Sequence, residues 1–182
     1  MTARTDTRSI NTTYARIAGF TFIFYIVAGM TSLSLGSDSQ VTELLYFLQN
    51  ASALVLGVTL YMLTREYGQA LALLALTFRI LEAVHDKSEI FFAFGSLLFC
   101  WLLLRGRLIP AALAWLGVIA SALLVVILPL QLAGVLAGAG WASSATWMIW
   151  MPMLVFEVTL ALWLIIKGVS AGQQNMTVSN SI

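Results

Sequence analysis

The 182-residue chain has one cysteine, Cys100, and one histidine, His85. A lone cysteine excludes an internal disulfide and a multi-cysteine metal site. With a single histidine beside it, zinc and bis-histidine haem have too few natural ligands. Neither a metal nor another cofactor is expected. Charge is scarce as well: Asp, Glu, Lys and Arg together make up 9% of the residues, where a soluble domain carries about 25%. No basic cluster and no interleaving of basic with aromatic residues points to nucleic acid, and a net charge of +1 says nothing as a total.

What is present is apolar. Hydrophobic residues make up 60% of the chain, and they gather into six runs, most of them near the roughly 20 residues that cross a hydrocarbon core. The predicted fold is all-α. It is a polytopic membrane protein with one bundle of six transmembrane helices over residues 15–168, a polar N-terminal tail over 1–14 and a polar C-terminal tail over 169–182. The partner this implies is the lipid bilayer.

The first run, Ile17 to Leu35, is longer than a signal-peptide core and has no small-x-small cleavage site at its end, so it reads as a retained helix, with a cleaved signal as the alternative. The others run from about Val41 to Leu63, from near Gln69, from Ile90 to Leu104, from Pro110 to about Leu128 with Pro129 as the stop, and from Thr146 to Ile166. Short polar turns over 37–40 and 86–89 and a glycine-rich loop over 133–144 join the remaining pairs. Arg4, Arg8, Arg16, Arg65, Arg105, Arg107 and Lys167 fall in alternate connections or tails, and Lys87 falls on the other side. By the positive-inside bias both termini are cytoplasmic.

Arg79 alone is left within a span. It sits in Phe78-Arg79-Ile80-Leu81-Glu82-Ala83-Val84-His85-Asp86, which also holds a glutamate and the histidine. An ionisable group at the centre of a spanning helix costs at least about 2.5 to 3.5 kcal/mol, so it turns inward, finds a partner and marks function. At about 100° per residue, Ala72, Ala75, Arg79, Glu82, Ala83 and Asp86 share one face, with Leu73, Leu74, Thr77, Ile80, Leu81 and Val84 opposite. Arg79 and Glu82 are three apart, close enough to pair, and His85 flanks Glu82 from the other side. The plainer reading is a structural ion pair near a helix end, with His85, Asp86 and Lys87 solvated.

Depth selects further partners. At about 1.5 Å of rise per residue, Arg79 lies about 10 Å and Glu157 about 16 Å below the outer ends of their helices, Gln49 with Asn50 about 12 Å, and Ser96 about 9 Å. Trp150, Met153 and Glu157 share a face of the sixth helix, and Pro152 frees the carbonyl of Met148. Matched depth predicts that Arg79 faces Glu157 across the third and sixth helices. Gln49 and Asn50 serve equally well as hydrogen bonds between helices. Trp141 and Trp147 suit interfacial anchors. Cys100 suits a small apolar filler.

The segments Ala15-Arg16-Ile17-Ala18-Gly19-Phe20, Thr77-Phe78-Arg79-Ile80-Leu81-Glu82-Ala83, Leu103-Leu104-Arg105-Gly106-Arg107-Leu108-Ile109-Pro110 and Phe156-Glu157-Val158-Thr159-Leu160-Ala161-Leu162-Trp163 occur in this order. In them the chain resembles the bacterial membrane proteins grouped as domain-of-unknown-function family 4386. The resemblance implies a multi-pass protein of the bacterial cytoplasmic (inner) membrane and implies no particular reaction.

Three functions fit these residues. The first is an acid-base enzyme of cyclase or isomerase type, acting on a small lipophilic, isoprenoid-like substrate. Glu157 or Glu82 would be the acid, Arg79 the electrostatic anchor and His85 a relay, while Trp150 would stabilise a carbocation. Gln49, Asn50 and Met153 complete the expected substrate-binding set. The second is a proton-coupled carrier in which Glu82, Glu157 and His85 form the relay. The third is a non-catalytic membrane interaction protein. Polar groups clustered in the outer half of the bilayer, above a sealed inner half, favour the enzyme.

Overall fold

The computed structural model describes residues 3–35, 40–85, 88–135 and 144–169. They form α1 (Ala3–Leu35), α2 (Gln40–Thr64), α3 (Gln69–Val84), α4 (Ser88–Arg105), α5 (Ala111–Leu132) and α6 (Ser144–Ile166), with a 3-10 turn at Arg65–Tyr67 between α2 and α3. No strand occurs among the described residues. All helices but α3 are long and apolar enough to cross a membrane. At 16 residues α3 is about 24 Å long.

Each helix packs on the next in sequence and α6 packs back on α1, so the six close into a ring, with α2 also touching α4 across it. Every helix sends a buried side chain inward: Phe22, Leu60, Arg79, Phe99, Leu124 and Phe156. The outer surface carries large exposed apolar side chains such as Phe20, Phe47, Leu73, Ile119 and Leu162. A belt of that kind all round a bundle suits hydrocarbon.

Two boundaries differ from the sequence reading. α1 begins at Ala3, inside the stretch expected to be a polar tail. No proline or glycine interrupts residues 3–18, so a helix started in the apolar run can propagate back through them. Pro129 lies inside α5 and does not stop it. Proline removes a single backbone donor, and packing within a bundle tolerates that loss. The stop comes further on, at Gly134. There φ is +73°, and the amides of Gly134 and Val135 bond back to Gln131 and Leu130, which closes the last turn. At the end of α4 Arg107 takes the same left-handed role, with φ +50°. Gly106 before it leaves room for the Tyr67 ring, which a Cβ there would meet at 2.8 Å. Residues 37–39 and 86–87 of the expected turns and residues 136–143 of the loop, with Trp141, lie outside the described residues.

Candidate functional site

The helical face read from the spacing of α3 is the buried one. Ala72, Ala75, Arg79 and Glu82 are buried, while Leu73, Leu74, Thr77, Ile80 and Val84 are exposed. Small residues on the flanking helices let this face come close. A Cβ on Gly57 of α2 would lie 2.9 Å from Arg79 Cβ, and one on Gly95 of α4 would lie 3.2 Å from Phe78 Cβ. The stem of Arg79 is thus enclosed by helix backbones on both sides, and its guanidinium, 1% exposed, is carried to the centre of the ring.

There it is held from several directions. Nη1 donates to Glu82 Oε2 at 2.8 Å, and Nη2 donates to Ser96 Oγ at 3.1 Å. The guanidinium carbon stands 4.8 Å from the centroid of the Phe92 ring, within cation-π range. The second oxygen of Glu82 accepts the Tyr25 hydroxyl at 2.9 Å. Glu82 is therefore bonded at both oxygens, by α3 itself and by α1. Only Nε of Arg79 lacks a hydrogen-bond partner.

Glu157 is not hydrogen-bonded into this network. It is 5% exposed, makes no ion pair with Arg79, and its Oε1 has no hydrogen-bond partner. The expected pairing of Arg79 with Glu157 is therefore corrected: the partner is Glu82. Matched depth sets two side chains at one level, but Glu82 lies one turn away on the same helix, and its pairing needs no approach across the bundle.

Both carboxyl groups border a cavity of about 530 Å³. Tyr25 and Gly29 of α1, Gln49 and Asn50 of α2, Phe92 of α4 and Trp150 of α6 contribute to its wall. Gly29 makes room for the Gln49 amide, whose Nε2 would lie 2.9 Å from a Cβ at that position. The rings run in sequence round the wall, with Tyr25 and Phe92 parallel at 6.4 Å between centroids and Phe92 and Trp150 at 5.6 Å. Ser88 and Glu89, at the start of α4, also line the cavity, so it lies toward that end of the bundle. A far smaller void of about 10 Å³ lies below, bordered by Arg79 with residues such as Phe22, Phe99, Leu103 and Leu160.

Of the residues expected at the site, Glu82, Glu157, Trp150, Gln49 and Asn50 meet at the cavity, with Arg79 directly behind Glu82. Two others do not reach it. His85 ends α3 in an extended conformation, is exposed, and sets its ring edge-on to Phe91 at 5.1 Å. The helix stops at Val84, so the three-residue spacing no longer carries the imidazole to Glu82. Met153 is buried beneath the cavity, with its sulfur 3.8 Å from Ser121 Oγ. Cys100 is a buried filler beside the same hydroxyl. Sequence reasoning missed Tyr25, whose signal is a phenol in mid-span that must find a partner. It also missed Gly57 and Gly95, which lie in mid-span beside the arginine.

No group of three or more metal-ligating side chains occurs among the described residues. No curated protein and no solved structure matches the chain. Of the four segments that carry the family resemblance, the two later ones, with Glu157, lie inside the stretch that a family model matches, and the two earlier ones, with Arg79 and Glu82, lie ahead of it. Residues 84–168, from the end of α3 through α6, match the family described as Domain of unknown function (DUF4386), the family the sequence resembles.

Proposed function

We propose that the chain is an intramembrane acid-base enzyme, of cyclase or isomerase type, that takes a small lipophilic substrate into the cavity and exchanges a proton with it through Glu157. The observation that carries this reading is the difference between the two carboxyl groups. Glu82 has both oxygens bonded to the protein, whereas Glu157 borders the cavity and its buried Oε1 has no donor in the protein. A group that must give and take a proton needs a free valence toward its substrate. Arg79, Glu82 and Tyr25 are then the rigid floor of the site and set its field.

In such a reaction the proton of the Glu157 carboxyl adds to a carbon-carbon double bond. The carbocation that forms lies against the rings of Trp150 and Phe92. Loss of a different proton to the carboxylate gives a rearranged or cyclised product of the same formula and restores the acid. No cofactor is needed for that balance. In this reading α3 also crosses the bilayer, both termini are cytoplasmic, and the cavity lies in the outer half of a bacterial inner membrane. The packed side chains beneath Arg79 favour an enzyme over a carrier, which needs access from both faces.

Lipid extracts of cells with the chain, without it, and with Glu157→Gln test the reading. A lipophilic product that appears with the native chain and is lost in the variant, at equal membrane abundance, is the expected result. Identical extracts from all three would overturn it.

A further inference from the structure

We propose that the cavity selects an amphiphilic organic cation, a lipophilic amine or quaternary ammonium compound, with the cationic head between Glu157 and the aromatic wall. The inference rests on the reading that the cavity takes a small lipophilic molecule, and the cationic head pairs with the ionised Glu157 that the proposed reaction leaves once its proton has passed to the substrate.

The first support is charge. Glu82, Glu89 and Glu157 line the cavity, and no lysine, arginine or histidine does so among the described residues. The nearest cation, Arg79, is bound to Glu82 and Ser96, so Glu82 is paired within the protein, while Glu157 and Glu89 form no ion pair among the described residues. The second support is Glu157 itself. It lines the cavity and is 5% exposed, and its buried Oε1 finds no donor in the protein. A buried carboxylate demands a partner, and here the free space beside it is where that partner can come from. The third is the wall. The ring series Tyr25, Phe92 and Trp150 lines the same cavity as the carboxyl, and aromatic rings with an acidic side chain suit an alkylammonium head.

Other ligand classes fit less well. An anionic head would face two carboxyl groups with no cationic side chain to meet it, and an uncharged chain would bring Glu157 no counter-charge. The tail has its own place, because Met30, Leu33 and Met151 line the same cavity and are also exposed at the bundle surface. A chain leaving the cavity past them reaches hydrocarbon directly.

The test is calorimetric titration of the full chain in nanodiscs with trimethyloctylammonium, octanol and octanoate, subtracting uptake by empty nanodiscs. The ammonium is expected to bind saturably, at least tenfold more tightly than octanol, with octanoate weakest. Glu157→Gln is expected to lower ammonium affinity at least tenfold while leaving octanol within twofold. Trp150→Leu should also weaken the ammonium more than the alcohol. The thermal midpoint of each variant checks its fold, and the native selectivity series stands without any variant. Equal affinity for ammonium and octanol, or a preference for octanoate, would overturn the cation inference and leave the lipophilic-substrate reading intact. No saturable binding of any of the three would overturn both.

Discussion

Arg79 is bonded to Glu82, one turn along the same helix at 2.8 Å, while Glu157 across the bundle makes no ion pair with it. One carboxyl is thereby bonded within the protein at both oxygens, and the other borders the cavity without an ion pair. Residues of the same type and similar depth therefore stand in different surroundings, and substitution separates them.

The Arg79–Glu82 pair should show strong coupling. Arg79→Met leaves Glu82 with Tyr25 alone and should destabilise the chain by about 3 to 5 kcal/mol, the usual cost of breaking a buried pair from one side. Arg79→Met with Glu82→Gln should recover part of that loss, and Arg79→Met with Glu157→Gln should recover little. Thermal unfolding in detergent of the singles and both doubles decides it. Recovery by Glu157→Gln alone would assign the pairing to α6.

Glu157→Gln by itself should scarcely change stability, because Oε1 accepts no bond that the amide would lose. A shift below about 1 kcal/mol, less than a typical hydrogen bond contributes, is expected. The same variant should abolish product formation. A large drop in thermal midpoint would make Glu157 a structural residue.

The glycines beside Arg79 should resist the smallest enlargement. Gly57→Ala sets a Cβ 2.9 Å from Arg79 Cβ, whereas Gly95→Ala meets Phe78 Cβ at 3.2 Å. Overpacking costs about 1 to 3 kcal/mol. Gly57→Ala should lie at the upper end, since its neighbour is the stem of a side chain bonded at its far end. Equal midpoints for Gly57→Ala and the native chain would show that α2 and α3 can separate without loss.

The buried face of α3 was legible because a regular helix converts residue spacing into direction, and the Arg79–Glu82 spacing is one such case. Depth was legible for the same reason, and it set Ser96 at the level of Arg79, to which it is bonded. The expected Arg79–Glu157 ion pair does not form because Glu82, one turn away on the same helix, takes the guanidinium. His85 failed because the periodicity was carried one residue past the helix end. Tyr25 went unread because one phenol in an apolar run does not reveal which neighbour it meets. The cavity went unread because empty space is a property of six packed helices and of no single segment.

Whether α3 crosses the bilayer is the last question, and its length alone does not answer it. At about 24 Å it is shorter than a typical hydrocarbon core of about 30 Å. Its two charged side chains, however, are buried and bonded to each other, so they add little to the cost of spanning. Arg65 before α3 and Arg105 with Arg107 after α4 also belong on one side by charge, which requires both helices to cross or neither. α4 is long and apolar enough to cross, so α3 should cross with it. Single cysteines at the exposed positions Gln69, Ala112 and Val135, in a Cys100→Ser background, test this with an impermeant maleimide. Those at 69 and 112 should be labelled only after the membrane is opened to the cytoplasmic side, and the one at 135 in intact cells. Labelling of 69 and 112 from opposite sides would leave α3 on one face of the membrane, and labelling of 69 and 112 in intact cells with 135 protected would reverse the orientation.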